Sequence, residues 1–163
     1  MAAKAKPVKK AKASATKPPI ARPEPWLVHF FQRHEDDDPD KTVPAQVFLD
    51  ECPGKVSATM VAVLRAVAEA PPPAFSGGGK WEAMHDEMSG YYEVRVDGAQ
   101  RKHYRLFCLL ERDGARLGLG GPSIVLIDGR EKPFLTELRK EDYAAVKKLG
   151  DEYRRRTPRS VLR

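Results

Sequence analysis

Cysteine is scarce: only Cys52 and Cys108 occur in 163 residues. They form no CxxC motif and have no Cys/His neighbours at metal-ligand spacing, which argues against a zinc module or a disulfide scaffold. Both read as reduced thiols of an intracellular protein, and no cofactor or metal is expected. No apolar run is long enough to span a membrane, and the N-terminus lacks the hydrophobic region of a secretory signal. The expectation is a soluble, cytoplasmic chain with no membrane partner. Glycines in "FSGGGKW" lack the GK[ST] ending of a phosphate-binding loop, because Lys80 precedes Trp81. The acidic "HEDDDPDKT" lacks the glycine and distal glutamate of a calcium loop and reads as a solvated turn segment.

Charge is plentiful but uneven. The net charge is +6. Residues 1–24 hold seven Lys/Arg against one acid, and residues 139–163 hold nine against four, so the stretch between them is net −5. Basic ends on an acidic body point to a polyanion reached by the termini. Residues 1–24 are rich in Ala, Lys and Pro, with too few large apolar residues to offset ordering entropy, and read as a disordered basic tail. Such a tail either attracts nucleic acid through counterion release or merely solubilises the chain. Residues 25–157 read as one domain, and 158–163 as a short basic C-terminal tail.

Within the domain, "WLVHFF" has strand character, and "TVPAQVFLDECPG" reads as a short helix with Pro44 in its first turn and Pro53-Gly54 at its end. In "KVSATMVAVLRAVAEA", Met60, Val63, Leu64 and Val67 recur at helical spacing, with Ser57 as a cap and Pro71 to Pro73 as a stop. "YYEVRVDGAQRKHYRLFCLLERDG" reads as a hairpin turning at Asp97-Gly98. Facing Tyr92, Val94 and Val96 and also Tyr104, Leu106, Cys108 and Leu110 to a core fixes the register. That register puts Arg95 and Arg105 side by side on the opposite face, with Glu93, His103 and Phe107. Two adjacent guanidiniums need an anion between them, so the pair reads either as an ion-pair network with Glu93 or as a phosphate-binding surface. "IVLID", apolar from Ile124 to Ile127, reads as a central strand, and residues 139–156 read as an amphipathic helix. Its apolar stripe is Tyr143, Val146, Leu149 and Tyr153, while Lys147, Lys148, Arg154, Arg155 and Arg156 project elsewhere. The fold class expected is α+β, an antiparallel-rich central sheet packed with N-terminal helices and a C-terminal basic helix.

The stretches "VHFF", "VFLDECPGKV", "MSGYYEVRVDG", "HYRLFCLLERDG" and "IVLIDGREKP", followed by the basic helix, resemble in order and spacing the HigB-like branch of the RelE toxin superfamily, including related phage-derived proteins. The likeness covers about residues 26–156 and is most specific at Tyr92-Glu93-Val94-Arg95 and Tyr104-Arg105. It implies a small RelE-like fold and the toxin of a toxin-antitoxin pair, a metal-independent mRNA endoribonuclease acting on the ribosome and held by a cognate antitoxin. In that reading Arg95 and Arg105 clamp phosphate. Lys132 matches the first lysine of the family's Phe-x-Lys-Lys segment, where Pro133 replaces the second and Arg130 takes the aromatic position. His103 is a candidate for proton transfer, and Arg130, Lys147, Lys148, Arg154 and Arg155 are candidate RNA contacts. The rival expectation is a non-catalytic nucleic-acid- or ribosome-binding module on the same fold.

Overall fold

The computed structural model describes residues 21–71 and 79–163; residues 1–20 of the basic tail and the glycines of "FSGGGKW" before Gly79 lie outside them. The described chain is α+β. Five strands, β1 (Leu27–Phe30), β2 (Trp81–Ala83), β3 (Tyr91–Gly98), β4 (Lys102–Glu111) and β5 (Ser123–Pro133), form one mixed open sheet in the order β1-β5-β4-β3-β2. β1 runs parallel to β5, and the other pairs are antiparallel. Three helices, α1 (Pro44–Glu51), α2 (Gly54–Glu69) and α3 (Lys140–Arg154), cover both faces.

Each helix forms where its sequence leaves a backbone group that need not be satisfied or an apolar stripe that must be buried. Pro44 opens α1, where its missing N–H has no partner to lose. In α2, Val56, Met60, Val63, Leu64 and Val67 are all buried, the spacing of one helical face. Ser57, expected as the cap, lies inside the helix instead, with its Oγ donating to the Gly54 carbonyl at 3.2 Å. The helix starts earlier because the Pro53 carbonyl accepts from the Val56 and Ser57 amides at 2.8 and 3.1 Å.

The β3–β4 hairpin puts Arg95 and Arg105 on one face, as expected, and directly opposite each other. Its turn does not lie at Asp97-Gly98. Those residues pair with His103 and Lys102, and the chain reverses at Ala99–Arg101, where Gln100 and Arg101 take φ of 61° and 56°. Gly98 serves close approach rather than turning, since a Cβ there would lie 2.5 Å from the Tyr104 ring.

Side chains alternate along β4: Tyr104, Leu106 and Cys108 join the core under α1 and α2, while Phe107 and Leu109 join the core under α3. In β5, Ile124 and Leu126 belong to the first core and Val125 and Ile127 to the second. The alternation is broken once. Phe107 pairs with Asp128 and Cys108 with Leu126, so Ile127 is an extra residue, a β-bulge. Beyond it Asp128, Arg130 and Lys132 pair with Phe107, Arg105 and His103, and lie on the α3 side of the sheet. Gly129 faces α1, in contact with Phe48.

The acidic turn, expected to be solvated, and residues 158–163, expected as a short basic tail, are both part of the fold. In the acidic turn, Asp37 accepts from Arg155 at 3.3 Å and Arg156 at 2.6 Å, and neighbouring Arg33 donates to Glu152 at 2.9 and 3.0 Å. The segment therefore ties the end of α3 to the sheet. Residues 158–163 return along the outer edge of β1, where Val161 is buried opposite Phe31 and the Leu162 amide donates to the Phe30 carbonyl at 2.9 Å. Among the described residues no helix is long and apolar enough to cross a membrane.

A Cβ on Gly129 would lie 2.0 Å from the Phe48 ring. Gly129→Ala is expected to lower stability by about 1–3 kcal/mol, the usual cost of overpacking. Equilibrium denaturant unfolding measures this, and adding Phe48→Ala should make the glycine substitution nearly neutral.

Candidate functional site

Past the bulge, the α3 side of the sheet carries two cross-strand rows. The first is Arg95, Arg105 and Arg130 on β3, β4 and β5; the second is Asp97, His103 and Lys132. Directly opposed residues lie about 4.5–5.5 Å apart at Cβ, so three guanidiniums occupy neighbouring positions. Such a row is tolerated only with anions among them. Glu93 and Asp128 flank Phe107 one pairing step away, and Glu82 on β2 lies opposite Glu93.

The arginines share those carboxylates. Arg105 Nη1 donates to Glu93 Oε1 at 2.8 Å, and Arg95 Nε stands 3.6 Å from the same oxygen while its Nη1 donates to Glu82. Arg130 Nη1 donates to Asp128 Oδ2 at 2.5 Å and to the Gly129 carbonyl at 2.7 Å, and its Nε lies 3.8 Å from Asp142 in the first turn of α3. Of the two readings left open by the sequence, the ion-pair network is therefore present. It does not exhaust the donors, since each guanidinium carries five N–H groups. Arg95 is the more accessible of the hairpin pair, with its side chain 38% exposed against 11% for Arg105.

Burial governs the acids. Glu93 is 9% exposed, and desolvation raises its carboxyl above the usual range despite Arg105 and Arg95. Asp128 is raised for the same reason, against the pull of Arg130 and the Gly129 amide. Lys132 moves the other way: desolvation lowers its ammonium, and the repulsion of Arg105 and Arg95 lowers it further. Its Nζ donates to the Thr136 carbonyl, and among the described residues it forms no ion pair with a carboxylate. His103 turns Nδ1 to Asp97 and stacks on Phe134 with ring centroids 4.2 Å apart. In the tautomer that donates Nδ1–H to Asp97, Nε2 is left as an acceptor.

The structure thus brings Arg95, Arg105, His103, Lys132 and Arg130 onto one face. Arg95, Arg105, His103 and Lys132 also line an open groove with Lys55 and Thr59 of α2, Lys80, and Leu135 and Thr136. It does not bring Lys147, Lys148, Arg154 or Arg155 to that groove. Lys147 and Lys148 line a separate shallow concavity with Glu87 and Asp151; Arg155 is paired with Asp37, and Arg154 lies 5.3 Å over the Tyr91 ring. The sequence reading missed Glu82, Asp97 and Asp128 as site residues; the two-residue spacings Asp128-x-Arg130 and Arg95-x-Asp97 carry a signal for the last two, and Glu82 arrives only through the pairing of β2 with β3. It also treated Tyr143 as packing alone. That ring does meet Phe107 edge-on, but its phenol lies close enough to Glu93 and Arg105 for both charges to act on it, and burial raises its pKa.

No family model, curated protein or solved structure matches this chain.

The raised carboxyls give a pH signature. Between the ordinary carboxylate pKa and the raised folded value, the native state binds more protons than the unfolded state, so Glu93 and Asp128 stabilise less as pH rises through that window. Glu93→Gln is expected to remove its share: the wild-type protein should gain stability over the variant on acidification from pH 7 into the carboxylate range, measured by parallel denaturant titrations.

Proposed function

We propose that the protein is a metal-independent endoribonuclease of the RelE type, a HigB-like toxin that cleaves mRNA on the ribosome and is restrained by a cognate antitoxin. The observation that carries the reading is the convergence of Arg95, Arg105, His103 and Lys132 on one open face. The resemblance of residues 26–156 to that branch supplies the biological setting, and the helices on both faces of an antiparallel-rich sheet are compatible with its fold.

RNA carries its own nucleophile. Attack of a 2′-hydroxyl on the adjacent phosphate needs a proton acceptor, charge stabilisation on the pentacoordinate phosphorus and a proton for the departing 5′-oxygen. His103 Nε2, with Nδ1 tied to Asp97, suits the first task. Arg95 and Arg105 suit the second, because their planar forks match phosphate oxygens and stay charged. Lys132, whose ammonium is made more acidic by desolvation and by the two arginines, suits the third. A phosphate entering between Arg95 and Arg105 takes the donors that Glu93 and Glu82 leave unused, and Arg130 stays on its carboxylates as the outer end of the row.

The competing reading, a module that binds RNA without cutting it, draws on the same carboxylates, since they neutralise part of the row. The two are separated by variants that keep the fold. Arg105→Ala is a poor probe because it strands Glu93, and breaking such a buried pair typically costs about 3–5 kcal/mol. Arg105→Lys keeps a cation for Glu93 and loses the fork.

On controlled induction in bacteria, the intact protein is expected to arrest growth and create new mRNA 5′ ends. His103→Ala should reduce cleavage of RNA by about 10²–10⁴-fold, the range for a general base, and Arg105→Lys by about 10²–10³-fold. Normal growth with intact mRNA would rule the nuclease out, as would cleavage that survives both substitutions.

A further inference from the structure

Leu135 is 94% exposed, the most exposed large apolar side chain among the described residues. It takes φ of 62°, a left-handed conformation unfavourable for a residue with a branched, bulky side chain. A lone surface leucine is ordinary. This one is held out by a built loop. The Phe134 amide donates to the Arg101 carbonyl at 2.8 Å, Thr136 Oγ1 donates to the Pro133 carbonyl at 2.7 Å, and Lys132 Nζ donates to the Thr136 carbonyl. Residues 133–136 are thus fastened at both ends and to the hairpin turn, and their fastening cation is the proposed proton donor.

Leu135 also lies on the rim of the groove that Arg95, Arg105, His103 and Lys132 line, and Phe134 beside it is already stacked on His103. A phosphate chain bound at the arginines carries bases that must go somewhere, and an apolar projection next to an aromatic pair is the surface on which a base loses least by leaving its neighbours. We propose that the Phe134–Leu135 loop is a nucleobase platform: the base flanking the scissile phosphate packs on Leu135 at the edge of the His103–Phe134 stack, so that this loop sets which single-stranded positions the protein accepts. The proposal rests on the RNA reading above and names the contact that reading lacks, since arginines and lysine recognise phosphate and are blind to the base. Duplex RNA buries its bases and would not offer one, so the substrate is single-stranded.

The test uses the full chain and short single-stranded RNA with 2′-O-methyl groups throughout, which binds and cannot be cut. Leu135→Gly suits the positive φ and should leave the melting temperature unchanged or raised. It should weaken binding by about 10-fold, the worth of a leucine side chain partly covered by a base, while the salt dependence of binding, which counts phosphate contacts, stays the same. Replacing one base at a time by an abasic residue should find a position whose loss weakens the parent protein by a similar factor and weakens Leu135→Gly no further. Full affinity in Leu135→Gly, with the parent binding RNA, overturns the platform and leaves Leu135 to a protein partner. A parent that binds no RNA at all, either free or programmed as mRNA on the ribosome, overturns the RNA reading itself, and the two failures are thereby distinct.

Discussion

One unpaired residue in β5 decides what this sheet can do. Were the strand regular through Ile127, the alternation that buries Val125 and Ile127 under α3 would turn Asp128, Arg130 and Lys132 toward α1, and Gly129 toward α3. The bulge reverses the parity, so that β5 enters as a central strand apolar on both faces and leaves with its charges on the same side as Arg95, Arg105 and His103. Gly129 answers the same constraint from the other side, because only a residue without a side chain fits against Phe48. The candidate face is thus assembled by backbone register: Phe107 and Leu109 are sealed under α3, and the first turn of the helix meets the arginine row at Arg130 through Asp142.

Electrostatics then shapes what the register assembles. Three neighbouring arginines persist because Glu82, Glu93 and Asp128 lie among them, and two of those acids are buried enough that desolvation outweighs the arginines' pull. The result is a face whose cations are positioned by internal anions yet keep donors for an external one. Lys132, the cation without a carboxylate partner among the described residues, is the group whose acidity the arrangement increases. A site that orients cations in advance costs little reorganisation when phosphate charge develops, which is the condition for electrostatic catalysis.

Much of this was legible in the sequence, for identifiable reasons. Alternation in β3 and the two-residue recurrence of Tyr104, Leu106 and Cys108 in β4 fixed which faces coincide, so the placing of Arg95 and Arg105 on one face followed from sequence, while their direct opposition depended on where the chain turned. The apolar run Ile124 to Ile127 announced a strand flanked on both sides. Less legible was whatever depended on parity or on distant partners. Nothing in "IDGREKP" marks Ile127 as the extra residue. The hairpin turn moved from Asp97-Gly98 to Ala99–Arg101 because Gly98 was needed against Tyr104 and could not also turn the chain. The basic end of α3 looked like a polyanion contact, but the acidic turn at residues 34–38, 118 residues earlier in the chain at the Asp37–Arg155 pair, folds onto it. Composition reports how many charges there are, and only the fold reports which are already paired.

The central claim is that the Arg95–Arg105 pair receives the phosphate of a single-stranded RNA. The most direct measurement is the structure of the full chain with a short RNA whose 2′-hydroxyls are blocked. The account predicts a backbone phosphate bound by both guanidiniums, with His103 Nε2 toward the blocked 2′ position and Lys132 toward the 5′-oxygen. RNA bound along Lys147, Lys148 and Arg154 instead, with the arginine row still closed on Glu93 and Glu82, would contradict it.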